Sequence, residues 1–153
     1  MYNIIAPSYN KLHKEEQIKK LKLIKKHLKI IPPLLDIGCG TGISTNFFKI
    51  KSIGIDSSKE MIKNKKNLIH GYAENLPFKD KSFNTVISIT SFHNFKNMEK
   101  ALKEIIRVSF NKNICISFLK KSKKLNKFKR LLKKYLKFKE IEEEKDIIFL
   151  IIK

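Results

Sequence analysis

Three of the chain's five glycines fall inside one stretch, Leu34-Leu35-Asp36-Ile37-Gly38-Cys39-Gly40-Thr41-Gly42. Leu34 to Ile37 reads as a short buried strand closed by this glycine cluster. Glycine at alternate positions lets the backbone turn tightly and come close to a ligand that any Cβ would hold off. Ser44 to Lys49, immediately after, predicts a helix whose first turn carries amide donors with no partner inside the helix. Strand, glycine turn and helix in that order open a βαβ unit, which commits the chain to a parallel sheet.

The rest of the sequence continues the alternation. Strands are predicted at Ser52–Asp56, Leu68–Tyr72, Phe83–Thr90 and Asn113–Leu119, the third being the most β-branched. Helices are predicted at Ser58–Lys66, at Ala101–Val108 with Leu102, Ile105 and Ile106 on one stripe, and at Leu125–Leu136. Phe138–Glu143 and Asp146–Ile152, split by a short polar turn, read as an antiparallel hairpin. Ahead of the glycines, Ile18, Leu21, Ile24 and Leu28 keep helical spacing over residues 14–29, with Lys on the other face. Pro32 and Pro33 stop that helix. The expected fold class is α/β, a doubly wound and mostly parallel seven-stranded sheet with a C-terminal antiparallel hairpin. All of 1–153 is expected to form one minimal domain, in which 1–31 is a helical segment covering the site and 32–153 is the core. Ligands of such sheets bind at the carboxyl ends of the strands, where the strand order reverses. The loops after Ile37, Ile55, Tyr72 and Ile89 are therefore the places to look for chemistry.

Composition narrows the classes. Hydrophobic residues make up 42% of the chain, enough for a packed core and too many for disorder. No apolar run approaches the roughly 20 residues of a membrane span. The N-terminus lacks the basic start and apolar core of a secretory signal, so a cytoplasmic location is expected. Cys39 and Cys115 are too few for a disulfide framework or a zinc site, and no metal is expected. The net charge of +20 would attract nucleic acid or an anionic surface. Against that, Arg occurs only at 107 and 130, and Arg is the side chain that grips phosphate bidentately. Compositional bias toward Lys is the favoured reading.

The glycine loop does not fit two common phosphate motifs. A dinucleotide fingerprint needs a small residue three positions after its second glycine, and Ile43 stands there. No Lys-Ser/Thr pair follows, so the loop is not a P-loop. Asp56 lies 18 residues after Gly38, at the tip of the second strand. A carboxylate there can accept from both hydroxyls of a ribose, each such bond contributing roughly 1.5–3 kcal/mol.

LLDIGCGTG, SIGIDSSKEMI, GYAENLPFKDKSFNTVIS, SFHNF and ALKEIIRV, in this order and spacing, resemble the successive motifs of class I S-adenosylmethionine-dependent methyltransferases. The branch of the ubiquinone and menaquinone biosynthesis enzymes, methyltransferase type 11, is the most similar in flavour. The resemblance covers about residues 34–120. The segment IAPSYNKLHKEEQIKK also resembles what precedes the motif in many archaeal members. The resemblance implies a Rossmann-like fold and S-adenosyl-L-methionine as cofactor. It places Asp36, Gly38, Cys39, Gly40 and Gly42 at the methionine part and Asp56 at the ribose, with Ser57 as a further cofactor-binding residue. Ala73 and Glu74 would border the adenine, and Thr90 would sit near the sulfonium. Two positions depart from the pattern: Tyr72 and Asn84 stand where the family often has Asp.

For an enzyme of this kind, His93 in Ser91-Phe92-His93-Asn94-Phe95 is the candidate general base, since its ordinary pKa lies near working pH. Tyr9 and His13 are candidates to cover the site, and Lys20 to meet the cofactor carboxylate. His27 and His70 read as structural. Only residues 120–137 separate the fifth strand from the hairpin, where larger relatives insert a substrate-binding element. An open site is expected, covered at most by the N-terminal segment. The basic stretch Lys120–Lys139, with Leu125, Phe128, Leu132 and Tyr135 on one side, reads as core packing ahead of an RNA or lipid contact. The expected acceptor is a small molecule or a protein side chain. The alternatives are RNA methylation, supported by charge alone, and a non-catalytic cofactor-binding subunit that activates a partner.

Overall fold

The computed structural model describes residues 7–63 and 65–153, with side chains from Lys11 onward. Helix α1 runs Pro7–His27, β1 Leu34–Ile37, α2 Ile43–Phe47, β2 Ser52–Asp56 and β3 Leu68–His70. Then come β4 Thr85–Ile89, a 3₁₀ turn at Phe92–Asn94, α3 Met98–Val108, β5 Ile114–Leu119, α4 Leu125–Tyr135, β6 Lys137–Glu142 and β7 Asp146–Ile152. They form one seven-stranded sheet in the order β3-β2-β1-β4-β5-β7-β6. The first five strands pair in parallel, and β7 runs antiparallel to both β5 and β6. The α/β, mostly parallel sheet with its C-terminal hairpin is thus present. The strand order reverses between β1 and β4, which opens the crevice at their carboxyl ends.

Strands β1 and β4 are buried along their whole length, as expected of central parallel strands covered on both faces. Their side chains alternate between two cores. Leu35, Ile37 and Val86 pack with Ala101, Leu102, Ile105, Phe128 and Leu132 of α3 and α4. Leu34, Ile87 and Ile89 pack with Leu21 and Ile24 of α1 and with Leu28 just after it. Phe128 and Leu132 are fully buried and Leu125 and Tyr135 half-buried, so the apolar stripe of α4 does pack on the sheet. Exposed Lys137 and Lys139 lie on the edge strand β6, where charge disfavours pairing with another chain.

The structure corrects several boundaries. Among the described residues of Ser58–Lys66 the expected helix is absent, and Lys59–Lys63 form turns instead. Lys59 and Lys63 would repel at i,i+4 on such a helix, and of its described side chains only Ile62 reaches the core. Helix α3 starts at Met98, earlier than expected, because the Asn97 side chain caps it by accepting from Lys100 N. Tyr72 and Phe83 drop out of their strands and make only isolated bridges, to Asn75 and Ser109.

Candidate cofactor and acceptor site

The loop after β1 is moored to the strand beside it. Gly38 N and Cys39 N both donate to Ile55 O, at 2.8 and 3.1 Å. Gly38 has φ +74° and Gly40 φ +56°, the left-handed region that favours glycine. A Cβ on Gly38 would run into Ser91, whose Oγ would lie 2.5 Å away. At Gly40 a Cβ would meet nothing nearer than Met61 Cε at 3.7 Å, so this glycine borders open space.

The loop also binds the second motif directly. Asp56 Oδ2 accepts from Gly40 N at 2.8 Å, and Oδ1 accepts from Ser58 N at 2.8 Å. One N–H on each oxygen leaves the outer lone pairs available for a ligand's hydroxyls. Ser57 beside it is exposed, and its carbonyl contacts His70 Nε2 at 3.1 Å. Asp36 is fully buried below the loop. Its Oδ2 accepts from Ser44 Oγ at 2.5 Å and Thr45 Oγ1 at 2.8 Å, while Oδ1 has no hydrogen-bond partner among the described residues. Burial raises its pKa to about 6, offset in part by the two hydroxyls and reinforced by nearby Asp56. An unsatisfied buried carboxylate oxygen is costly, and a cationic group brought to it would relieve that cost. These features fit a cofactor with an ammonium at one end and a ribose at the other. Cys39 is buried, and burial pushes its thiol far above the ordinary range, so it is not a nucleophile.

Beyond β3 the chain turns through Gly71, exposed Tyr72, buried Ala73 and half-buried Glu74, whose Oε2 accepts from Asn97 N at 3.1 Å. Ala73 and Glu74 therefore sit on a short turn beside the end of β3.

The opposite wall follows β4. Thr90 has φ +52°, an uncommon conformation for a β-branched residue. Polar contacts hold it there: its N–H donates to Ser117 O at 3.1 Å, and its Oγ1 donates to Asp146 Oδ2 at 2.5 Å. Lys20 Nζ donates to Thr90 Oγ1 at 3.1 Å and lies 3.3 Å from Asp146 Oδ1. Lys20 is 4% exposed and Asp146 0%. This redirects the expectation for Lys20: its ammonium is committed to the protein's own carboxylate, tying α1 to β4 and β7. Such a buried pair contributes geometry more than net stability. The hydroxyl of Thr90 is likewise committed. Tyr9, and the cover expected of it, lies outside the residues whose side chains are described, and His13 is exposed on α1.

After Thr90, Ser91 Oγ donates to Gly38 O at 2.9 Å, locking this wall to the glycine loop. His93 follows in the 3₁₀ turn, with its ring against Phe118 and its carbonyl held by Lys124 Nζ at 2.9 Å. Its Nδ1 is buried with no hydrogen-bond partner among the described residues. Burial holds the imidazole below its ordinary pKa, with Asp146 opposing and Lys124 assisting. Sequence reasoning did not single out Asp146 or Ser91. An acidic residue opening an apolar strand carries no mark of a lysine partner on a distant helix. Among the described residues, no cluster of side chains could hold a metal ion, and no helix is long and apolar enough to cross a membrane.

The profile of a methyltransferase domain matches residues 35–117. An uncharacterized protein of Methanocaldococcus jannaschii is 40% identical over 114 residues, covering 70% of this chain and 45% of that protein. The demethylmenaquinone methyltransferase of Chlorobaculum tepidum is 37% identical over 87 residues, 50% of this chain and 36% of the enzyme. The chain thus spans less than half the length of either relative. The crystal structure of an Aquifex aeolicus S-adenosylmethionine-dependent methyltransferase superposes with a TM-score of 0.75, at 20% identity, over 96% of this chain and 98% of that one. That likeness shows a shared fold. With the profile match over more than half its length, the chain belongs to the class I S-adenosylmethionine-dependent methyltransferase family, in its type 11 branch.

Proposed function

We propose that the chain is an S-adenosyl-L-methionine-dependent methyltransferase whose acceptor is a small molecule or a protein side chain. The observation that carries this is the pairing of Asp36, whose buried Oδ1 has no hydrogen-bond partner among the described residues, with Asp56, tied to the glycine loop through Gly40. Asp36 would hold the ammonium of the cofactor's methionine end, Asp56 and Ser57 the ribose, and the turn of Ala73 and Glu74 the adenine. When bound, the cofactor supplies a methyl group already activated on its sulfonium. The protein's task is then mainly to position the acceptor, which can lower the barrier by on the order of 7–11 kcal/mol.

Thr90 and Ser91 shape the wall behind the transferring group. His93, held neutral near pH 7 by its burial, would take a proton from an acceptor that must lose one. Ile43 supports this reading over a dinucleotide, because it fills the third small position of that fingerprint.

The test is transfer of a labelled methyl group from S-adenosylmethionine into extract of the native cells, read before and after nuclease or protease. The expected label survives nuclease, in a small-molecule or protein fraction. Label lost to nuclease would promote the RNA alternative. No transfer into any fraction would favour the non-catalytic subunit.

A further inference from the structure

In a chain whose basic residues are otherwise nearly all Lys, Arg107 uses its guanidinium fully. Its Nε donates to Glu104 Oε2 at 2.6 Å, and its Nη2 to Glu104 Oε1 at 3.1 Å and Leu76 O at 3.0 Å. Its Nη1 donates to Phe78 O at 2.7 Å and Asp80 Oδ1 at 2.9 Å. Glu104 completes the clamp by accepting from Leu76 N at 2.9 Å. The backbone of Arg107 joins too, its carbonyl accepting from Lys81 N at 2.9 Å. One turn of α3 thereby grips residues 76–81 from both the donor and the acceptor side.

What the clamp grips leads directly into the turn that carries Ala73 and Glu74. Leu76 is buried three residues after Ala73, and the Glu74 carboxylate is fixed at the start of the same helix by Asn97 N. The turn is thus pinned at Glu74 and at Leu76, and both pins belong to α3 or its cap. A lysine could supply one point charge at 107 but not a planar fork reaching two carbonyls and two carboxylates together. That requirement explains an arginine here, against the bias of the whole chain.

We propose that Arg107, with Glu104, is a positioning residue for the adenine end of the cofactor site: it sets the shape of the Ala73–Leu76 turn without touching the cofactor. The inference rests on the cofactor reading above. It predicts that the clamp governs discrimination at the base and leaves the ribose and methionine ends alone.

The experiment is calorimetric titration of the full chain with S-adenosylhomocysteine and with S-inosylhomocysteine, which differs only in the base. Wild type is expected to prefer the adenine compound. Arg107→Lys, which keeps the charge and loses the fork, should bind S-adenosylhomocysteine roughly tenfold more weakly and lose most of that preference, since tenfold is the scale of one good interaction. Asp56→Ala should weaken both ligands and keep the preference, because its contact is at the ribose. A thermal melt of each variant checks that the fold persists, and Glu104→Gln provides a second, milder opening of the clamp. If wild type binds but does not discriminate, or if Arg107→Lys and Glu104→Gln keep the full preference, Arg107 is a structural arginine only and the inference falls. If wild type binds neither compound, the cofactor reading fails and takes this inference with it.

Discussion

Gly38→Ala is expected to destabilise the protein by about 2–5 kcal/mol, while Gly40→Ala costs much less. At φ +74° alanine sits in the left-handed region, at a cost of roughly 1–2 kcal/mol. The new Cβ would also press on Ser91, whose Oγ is fixed by Gly38 O at 2.9 Å and Ile89 O at 3.0 Å. The single hydrogen of that hydroxyl is shared between the two carbonyls, so Ser91 cannot yield without weakening its hold on them, and overpacking of this kind adds about 1–3 kcal/mol. For a chain of this size the sum lowers Tm by on the order of 5–20 °C. Gly40 shares the left-handed φ but has room for a Cβ, so its alanine variant should lose only about 1–2 kcal/mol. Thermal melts of the two variants decide the matter. Equal losses would mean that the contact between the glycine loop and Ser91 does not hold the site together.

His93→Ala is expected to keep cofactor affinity and lose on the order of 10²-fold in turnover on an acceptor that must shed a proton. The pH profile carries the finer prediction. Burial favours the neutral imidazole, Asp146 works against that, and Lys124 adds to it; the outcome is a pKa below the ordinary 6.5. A base is active when unprotonated, so the wild-type rate should climb from the acid side with its midpoint below 6.5 and be flat at neutrality. The variant should lack that acid limb. An acceptor already ionised, such as a thiolate, needs no base, and the variant would then fall only slightly. Unchanged turnover and an unchanged profile on a proton-bearing acceptor would take His93 off the catalytic list.

The parts of the fold legible in the sequence were those set by local pattern. The β-branched run ending at Ile89 and the apolar Asp146–Ile152 announce strands because nothing but burial accommodates such residues. The stripe of Leu125, Phe128, Leu132 and Tyr135 announces a helix packed on a sheet for the same reason. Asp36, the glycines and Asp56 were legible as a site because close backbone approach and hydroxyl recognition restrict the residue types allowed. The turn at Lys59–Lys63 carries a helical spacing in sequence, but its lysines repel and too few of its side chains reach the core for a helix to form. The buried pair of Lys20 and Asp146 was not legible, since each partner is a common residue in its own element and only the tertiary fold joins them. The left-handed Thr90 was equally hidden, because the contacts that hold it come from β5, β7 and α1.

The ends of β1 and β2 are expected to hold an S-adenosyl cofactor through Asp36, the glycine loop and Asp56. Calorimetric titration of the wild type and Asp56→Ala with S-adenosylhomocysteine tests it most directly. Micromolar binding is expected for the wild type and a loss of about 1.5–3 kcal/mol for the variant, roughly 10- to 150-fold, as charge-assisted bonds to the ribose disappear. No heat of binding in the wild type, or the same affinity in Asp56→Ala, would contradict it.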